Sequence, residues 1–513
     1  PRPPTVVHVC DDIACKARGA DSLLESLSRA PEQPLASHIA RSPCLGLCEQ
    51  APAALLVSAG REPVERGFGH ATVERVRGAL ESAIAPDWRP AAIPQRDVPG
   101  APPLRLLRRV GRIDPASLDD YRREGGYRAL RIALDAGPTS VVREITDSGL
   151  LGRGGAAFPT GRKWEAVARQ PVRPHYVVCN ADESEPGTFK DRVLMEEDPF
   201  SIIEAMTIAG FAVGAERGYL YVRAEYPAAA ERLRSAIERA RSRGLLGDDV
   251  MGRGLRFDIE VRRGAGAYIC GEETALFNSL EGFRGEPRSK PPFPVEVGLF
   301  GKPTVVNNVE TLVNVLDILV EGAAAYRALG TAASPGTRLF CLSGHVERPG
   351  LYEVPFGTRL DALLALAGGV PGGRRLSTVL LGGAAGTFLT PDELTLPLTF
   401  EDTRKAGATL GSGVVLVLDD SVDLPAYLAR IAAFFRDESC GQCVPCRVGT
   451  VRQEELVTRI VRRSPLGSVE HDKVLLRELG QAMRDASICG LGQTASSAIE
   501  SAVAKLDVFE GPR

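Results

Sequence analysis

Three cysteines at every third position, Cys440, Cys443 and Cys446 in "ESCGQCVPCRVGT", constrain this chain more than any other feature. Thiols so spaced wrap one turn of backbone, and downstream of them only Cys489, in "ASICGLGQTA", remains. A cysteine-only site therefore reads C-x2-C-x2-C-x42-C, with Cys489 as the fourth ligand. A triplet plus a remote cysteine is the pattern that closes over a [4Fe-4S] cluster, as in the ferredoxin run. Zinc sites usually pair two separate C-x2-C knuckles, so zinc is the lesser alternative, and unligated thiols a smaller one. Gly441, Gly449 and Gly490 supply the tight backbone that brings amide N–H groups toward cluster sulfides.

A second set lies near the start: Cys10, Cys15, Cys44 and Cys48, spaced C-x4-C-x28-C-x3-C. Two close pairs suit both a [2Fe-2S] cluster and zinc, with the cluster favoured. Cys179, Cys270 and Cys341 stand alone in apolar surroundings and read as small buried hydrophobes. The 6 histidines form no H-E-x-x-H or clustered pair, which leaves a histidine metal site or triad without support.

With 62 basic and 65 acidic residues the chain lacks the electrostatic footprint of a nucleic-acid binder. No apolar run is long enough for a membrane span; the best candidate, 200–214, is short and carries Glu204. The opening "PRPPTVVHVC" has no signal-peptide core, so a cytoplasmic, reducing location without membrane insertion is expected. There, 11 cysteines are metal ligands or buried thiols rather than a disulfide framework.

Composition divides the 513 residues. A compact module is expected over 1–85, with strands at Thr5–Val9 and "AALLVS" and helices at Asp21–Ala30 and Thr72–Ile84. The proline-dense stretch 86–107 reads as a semi-rigid linker. Alternating strands and helices predict an α/β core over 108–335, including the strands "HYVVCNADE" and "GYLYVRA" and the helices "DPASLDDYRREGGYRALRIAL" and "PFSIIEAMTIAGFAVGA". Short strands around "LDALLALAGG" predict a β-grasp or sandwich-like domain over 336–423, and 424–513 reads as helical throughout.

Within the α/β core, "GLLGRGGAAFPTGRKW" offers backbone N–H groups to a phosphate, with Arg153, Arg162 and Lys163 to neutralise it. Gly152, Gly154 and Ala157 satisfy G-x-G-x-x-A, yet the preceding "VVREITDS" reads helical and Pro159 interrupts the helix expected after it. A standard Rossmann finger is therefore not expected. "NADESEPGTFKDR" places Asp182, Glu183 and Glu185 beyond a buried strand, which taken alone reads as a solvated acidic loop. "GAGAYICGEETAL" sets Glu272 and Glu273 at a helix start, where carboxylates favour the dipole.

These motifs, with "KPPFPVEVGLFGKPTVVNNVETL" and the cysteine run, resemble in order the NADH-binding flavoprotein subunit of respiratory complex I and its soluble diaphorase relatives. The resemblance spans about 110–513. It implies a multidomain α/β protein with a flavin fold unlike the ordinary Rossmann domain, a β-grasp (ubiquitin-like) domain and a helical bundle holding [4Fe-4S]. By match, Gly152, Arg153, Gly154, Lys163, Asn180, Asp182, Glu183, Tyr268, Gly271, Glu272, Asn307, Asn308 and Thr311 belong to the FMN and dinucleotide cradle. Phe158 and Phe293 are similar to the family's aromatic platforms, Lys290 to a phosphate contact, and Glu185 and Glu273 to acceptors near the nicotinamide and the adenosine ribose. Glu185 and Glu183 are the candidate catalytic residues. The first module resembles the thioredoxin-like [2Fe-2S] ferredoxin of the same systems. Two positions depart from the pattern: Ala157 stands in the usual "GAGF", and Ala166 replaces an aromatic.

A nicotinamide moves two electrons as hydride and an iron–sulfur cluster moves one, so FMN is expected between them. Carboxylates at a ribose diol repel a 2′-phosphate, which predicts NAD(H) over NADP. With its fused cluster module the chain resembles most closely the β (diaphorase) subunit of a soluble, molybdenum-containing, NAD-dependent formate dehydrogenase. That resemblance implies a molybdenum-containing catalytic subunit and a small [2Fe-2S] subunit as partners. Hydrogenase and complex I assemblies are the alternatives.

Overall fold

The computed structural model describes residues 4–29, 38–61, 63–86, 89–464, 467–506 and 508–509. Four strands form the first sheet: β1 (Thr5–Cys10), β2 (Ile39–Ser42), β3 (Ala54–Ser58) and β4 (Val64–Phe68), in the order β2-β1-β3-β4. β2 runs parallel to β1, whereas β3 is antiparallel to both β1 and β4, a thioredoxin-like arrangement. Its helices Ala20–Ser28 and Val73–Ser82 bury Leu23, Leu27, Val76 and Ala79 against Val7, Val9 and Leu56. Thr72 caps the second helix, its hydroxyl accepting from the Arg75 amide. Of the helix expected over Asp21–Ala30, the last residue lies outside the described residues.

The proline-dense stretch packs as a strap. Ala91, Ile93, Leu106 and Leu107 are buried, and the Leu351 amide donates to Ala92 O at 3.0 Å. Gln95 exchanges hydrogen bonds with the backbone of Glu353, both at 2.8 Å. The buried Glu353 carboxylate accepts from the amides of Arg105, Leu106 and Leu107 and from the Thr337 hydroxyl. Proline cannot donate along such a segment; local carbonyls accept from Arg96, Val98 and Ala101, and one carboxylate gathers three further amides.

The central sheet holds β5 (His175–Ala181), β6 (Ala215–Val222), β7 (Gly247–Val250), β8 (Leu255–Arg263) and β9 (Thr304–Asn308), ordered β7-β8-β6-β5-β9. All but the edge strand β7 are parallel. The chain steps outward from β5 through β6 to β8, then returns to lay β9 on the other side of β5. That reversal opens a crevice at the carboxyl ends of β5 and β9. The helix Pro199–Val213 is buried at every position except Phe211, as its predominantly apolar sequence requires. Its Glu204 is accommodated by three donors: the Tyr121 hydroxyl at 2.6 Å and the amides of Tyr127 and Leu130 at 2.7 and 3.0 Å. The helix expected over "DPASLDDYRREGGYRALRIAL" breaks into Leu118–Arg123 and Arg128–Ala136, separated at Gly125, whose φ is +85°.

The third sheet comprises β10 (Thr337–Gly344), β11 (Gly350–Pro355), β12 (Leu376–Leu381), β13 (Thr387–Leu389) and β14 (Val414–Asp419). Its order, β11-β10-β14-β12-β13 with β10 parallel to β14, and the helix Leu360–Leu366 make it a β-grasp rather than a sandwich. Among the described residues five helices follow, from Leu424–Glu438 to Ser497–Lys505. A Cβ on Gly449 would stand 2.5 Å from the Met483 side chain, so that glycine serves close helix packing rather than a cluster. No helix among the described residues is long and apolar enough to cross a membrane. Replacing Glu353 by Ala strands three amides, two of them buried, and is expected to cost about 3 kcal/mol. Denaturant unfolding followed by tryptophan fluorescence, with limited proteolysis of the strap, measures the loss.

Candidate functional site

The crevice at the carboxyl ends of β5 and β9 is lined by the loop 182–189 and by Asn307 and Asn308, which lead into the helix Val309–Glu321. The glycine loop closes it from the side. This loop precedes the first strand of the sheet instead of following it, so the G-x-G-x-x-A match is not a Rossmann turn. Gly152 N donates to Phe158 O at 2.9 Å, and the Arg153 amide to the Thr311 hydroxyl at 2.8 Å. A Cβ on Gly154 would lie 3.2 Å from that of Asn308, which shows how closely loop and strand end approach. Ala157 adopts φ +53°, a left-handed conformation that costs a residue with a Cβ about 1 kcal/mol and that glycine adopts freely.

Two adjoining cavities, of about 650 and 410 Å³, share Gly154, Asn180, Gly271, Glu272 and Asn308 among their walls. The outer one adds Gly152, Lys163, Glu273, Lys290, Asn307 and Thr311, with Phe158 and Phe293 about half exposed on its rim. The inner one adds Asp182, Glu183, Glu185 and Tyr268. Every residue matched to the cofactor cradle therefore borders this space except Arg153. Its side chain turns away into the seam with the β-grasp domain, where it donates to the Tyr326 hydroxyl and to Pro335 O and stacks on Phe356.

The outer cavity concentrates charge. Lys290 Nζ lies 2.8 Å from Glu272 and 3.0 Å from Glu273, and Lys163 Nζ lies 3.6 Å from Glu273. Burial opposes ionisation of Glu273, but the two lysines outweigh it and hold that carboxyl below its ordinary value. In the inner cavity burial wins. It raises Asp182 and Glu183 to about 8 and Glu185 to about 7. These three are thus not the solvated loop that their charges alone describe. Glu183 is occupied structurally, since its carboxylate caps the helix Lys190–Glu197 and accepts from the amides of Asp191 and Arg192 at 2.8 and 2.9 Å. Glu185 faces the cavity with Oε2 accepting from the Tyr268 hydroxyl at 2.7 Å and Oε1 from the Ala385 amide at 3.0 Å.

The β-grasp domain forms part of the inner wall through Gly382, Ala385, Thr409, Gly411 and Ser412, none of them apparent from the motifs. Lys190 and Asp191 also line it; they fall within "NADESEPGTFKDR", but the motif gives them no role. Their signal was faint because each acts through tertiary contact.

Cys440, Cys443, Cys446 and Cys489 surround a small enclosed space. Cys443 stands immediately before the helix Val444–Val461 and Cys489 before Gly490–Thr494, so helix amides face the space. A Cβ on Gly492 would lie 2.8 Å from that of Cys446. Thiols spread around a shared space suit a polynuclear cluster, in which each meets its own iron. Ile269 and Leu491 border both this space and the inner cavity, so one layer of side chains separates the two. The other four cysteines are buried together, with Cys44 Sγ 3.4 Å from Cys48 Sγ. Cys10 and Cys48 are pushed well up, first by the hydrogen bonds their thiols make to Cys15 and Cys44 and then by burial. Cys179, Cys270 and Cys341 are buried, as expected of small hydrophobes.

Residues 145–317 match the Nuo51 FMN-binding domain, 339–384 the SLBB domain, and 426–507 the NADH-ubiquinone oxidoreductase-F iron-sulfur binding region. The F 2 subunit of the NADH-quinone oxidoreductase of Rhizobium meliloti (strain 1021) is 45% identical over 401 residues, covering 78% of this chain and 94% of that protein. The chain belongs to the F-subunit family of NADH-quinone oxidoreductase flavoproteins. Another family member, the HndC subunit of the NADP-reducing hydrogenase of Solidesulfovibrio fructosivorans, is 44% identical over 78% of this chain and 81% of its own length. A chain of an NAD+-reducing [NiFe]-hydrogenase superposes with a TM-score of 0.83 at 36% identity, covering 100% of this chain and 85% of that one. The F-subunit chain is thus an NADH dehydrogenase-type oxidoreductase subunit with FMN- and [4Fe-4S]-binding regions. The paired cavities and the four-cysteine space fit those groups.

Gly383 has φ +83°, and a Cβ there would stand 2.5 Å from Glu185 Oε1. Gly383→Ala is expected to displace Glu185 and to slow flavin reduction by NADH about tenfold. Stopped-flow absorbance at the flavin band measures it.

Proposed function

We propose that this chain is a diaphorase subunit that exchanges hydride between NAD(H) and FMN and passes electrons singly to iron–sulfur clusters. The observation that carries the reading is the single layer formed by Ile269 and Leu491 between the inner cavity and the four-cysteine space. Bound FMN supplies the conversion between two-electron hydride chemistry and one-electron transfer. Gly152, Gly154, Lys163, Asn180, Asp182, Tyr268, Gly271, Glu272, Asn307, Asn308 and Thr311 hold the flavin. Phe158 and Phe293 flank the mouth as platforms for the dinucleotide. Lys290 neutralises a phosphate, and Glu273, kept ionised by its lysines, accepts from the ribose diol and disfavours a 2′-phosphate. Glu185 accepts from the nicotinamide carboxamide and so orients the ring for transfer. Cys440, Cys443, Cys446 and Cys489 ligate [4Fe-4S]; Cys10, Cys15, Cys44 and Cys48 ligate [2Fe-2S].

The donor is proposed to be formate, oxidised at a molybdenum site on a partner chain alongside a small [2Fe-2S] subunit, within the cytoplasm. This finer reading rests on the resemblance of the motifs together with the fused N-terminal module. One observation favours a second reading, hydrogen: the superposition of the whole chain on the hydrogenase chain. Metal analysis of the complex purified anaerobically through this chain decides. Molybdenum beside iron is expected; nickel would assign hydrogen, and iron alone a complex I-type assembly.

A carboxyl raised to about 7 is mostly ionised above that pH, where both oxygens accept and neither carries a proton. The kcat/KM for NADH with an artificial acceptor is therefore expected to fall as pH drops through about 7, and Glu185→Gln to remove that limb while lowering the plateau.

A further inference from the structure

Glu185 is held from two other directions. Its Oε1 accepts from the Ala385 amide of the β-grasp domain, and its Oε2 accepts from the Tyr268 hydroxyl. Tyr268 begins the short helical turn Tyr268–Gly271, whose glycine borders both cavities. Such a turn has too few internal hydrogen bonds to fix its own orientation. What fixes it is the helix Leu424–Glu438. The Tyr268 amide donates to Glu438 Oε2 at 2.9 Å, and its ring packs edge-on against Phe434, with centroids 5.1 Å apart, and Phe435, at 6.4 Å. Three side chains of one helix therefore grip Tyr268 by its backbone and its ring. The same helix ends two residues before Cys440.

We propose that Glu438 is a positioning residue for hydride transfer: by holding the Tyr268 backbone it aims the Tyr268 hydroxyl at Glu185 and so sets the carboxylate that receives the nicotinamide. The inference rests on the role proposed for Glu185 as acceptor for the nicotinamide carboxamide. Glu438 lines neither cavity itself; it meets the inner wall through the hydrogen bond from the Tyr268 amide. The hydroxyl donates only if the turn is seated, because rotation about the Tyr268 backbone would carry the ring away from both Glu185 and Phe434. The helical bundle thereby shapes the flavin site as well as holding the cluster.

The test uses the full chain loaded with FMN and iron–sulfur clusters. Its readouts are the stopped-flow rate of flavin reduction by NADH, FMN content after acid release, and iron content. Tyr268→Phe, which keeps the ring that borders the flavin space and removes only the hydroxyl on Glu185, and Glu438→Leu are each expected to slow flavin reduction about tenfold with FMN and iron unchanged. The double variant is expected to be no slower than either single one, since both break one path. Glu438→Gln keeps an oxygen for the Tyr268 amide and is expected to stay within about twofold of the unaltered chain. Losses that multiply to about a hundredfold in the double variant would overturn the proposal, because the residues would then act independently. So would a Glu438→Leu rate equal to that of the unaltered chain. A Glu438 variant that loses iron or FMN in proportion to its rate also overturns it, since the residue would then serve cofactor retention. An unaltered chain that binds FMN but is not reduced by NADH would instead refute the diaphorase reading.

Discussion

Two buried arginines, Arg192 and Arg223, determine how the rest of the molecule is assembled. Arg192 pairs with Glu49 at 2.6 Å and Glu196 at 2.8 Å and donates to Gly46 O at 2.7 Å. Arg223, at the carboxyl end of β6, donates to Cys44 O and to Glu183 O, both at 2.7 Å. One guanidinium thus touches the backbone of a cysteine of the N-terminal module and the loop that lines the inner cavity. Buried charges cost desolvation that their mutual attraction does not fully repay, so such contacts specify a docking geometry more than they add stability. Gly46 completes the fit, since a Cβ there would stand 2.1 Å from the Tyr226 hydroxyl.

The same economy of contact recurs around the flavin-sized space. Glu183 caps a helix whose first turn carries Arg192, and Glu185 receives donors from the central and β-grasp domains. Arg153, drawn from the glycine loop, anchors the β-grasp domain instead of a phosphate. The two cavities are therefore not a pocket within one domain. They form a space enclosed by three domains and separated from the cysteine cavity by Ile269 and Leu491. Electron transfer over short distances demands that kind of proximity, and neither sheet provides it alone.

Much of the architecture was legible in the residues. The apolar run of Pro199–Val213, the β-like "TVVHVC" and the turn-rich stretch around Leu360–Leu366 each carry a periodicity that survives into the fold, because burial of one face or of all faces is a local pattern. The proline-dense strap was harder. Its composition describes a semi-rigid linker, and the partner of three of its amides, Glu353, lies some 250 positions away in the chain. Likewise the reversal between β5 and β9, which makes the crevice, is a property of strand order that no window of sequence contains.

The cysteine spacings and the glycine- and carboxylate-rich motifs, taken by themselves, determined which chemistry the chain carries, because ligand type and count are properties of composition. Tertiary structure alone decided which carboxylates face the cavity and which cap helices. It turned Arg153 outward, buried Asp182 and Glu185 so that their acidity fell, and brought Glu438 to Tyr268 across 170 positions of sequence. The physical reason is that desolvation and hydrogen-bond geometry depend on what packs around a group, and here that surrounding is assembled from three domains.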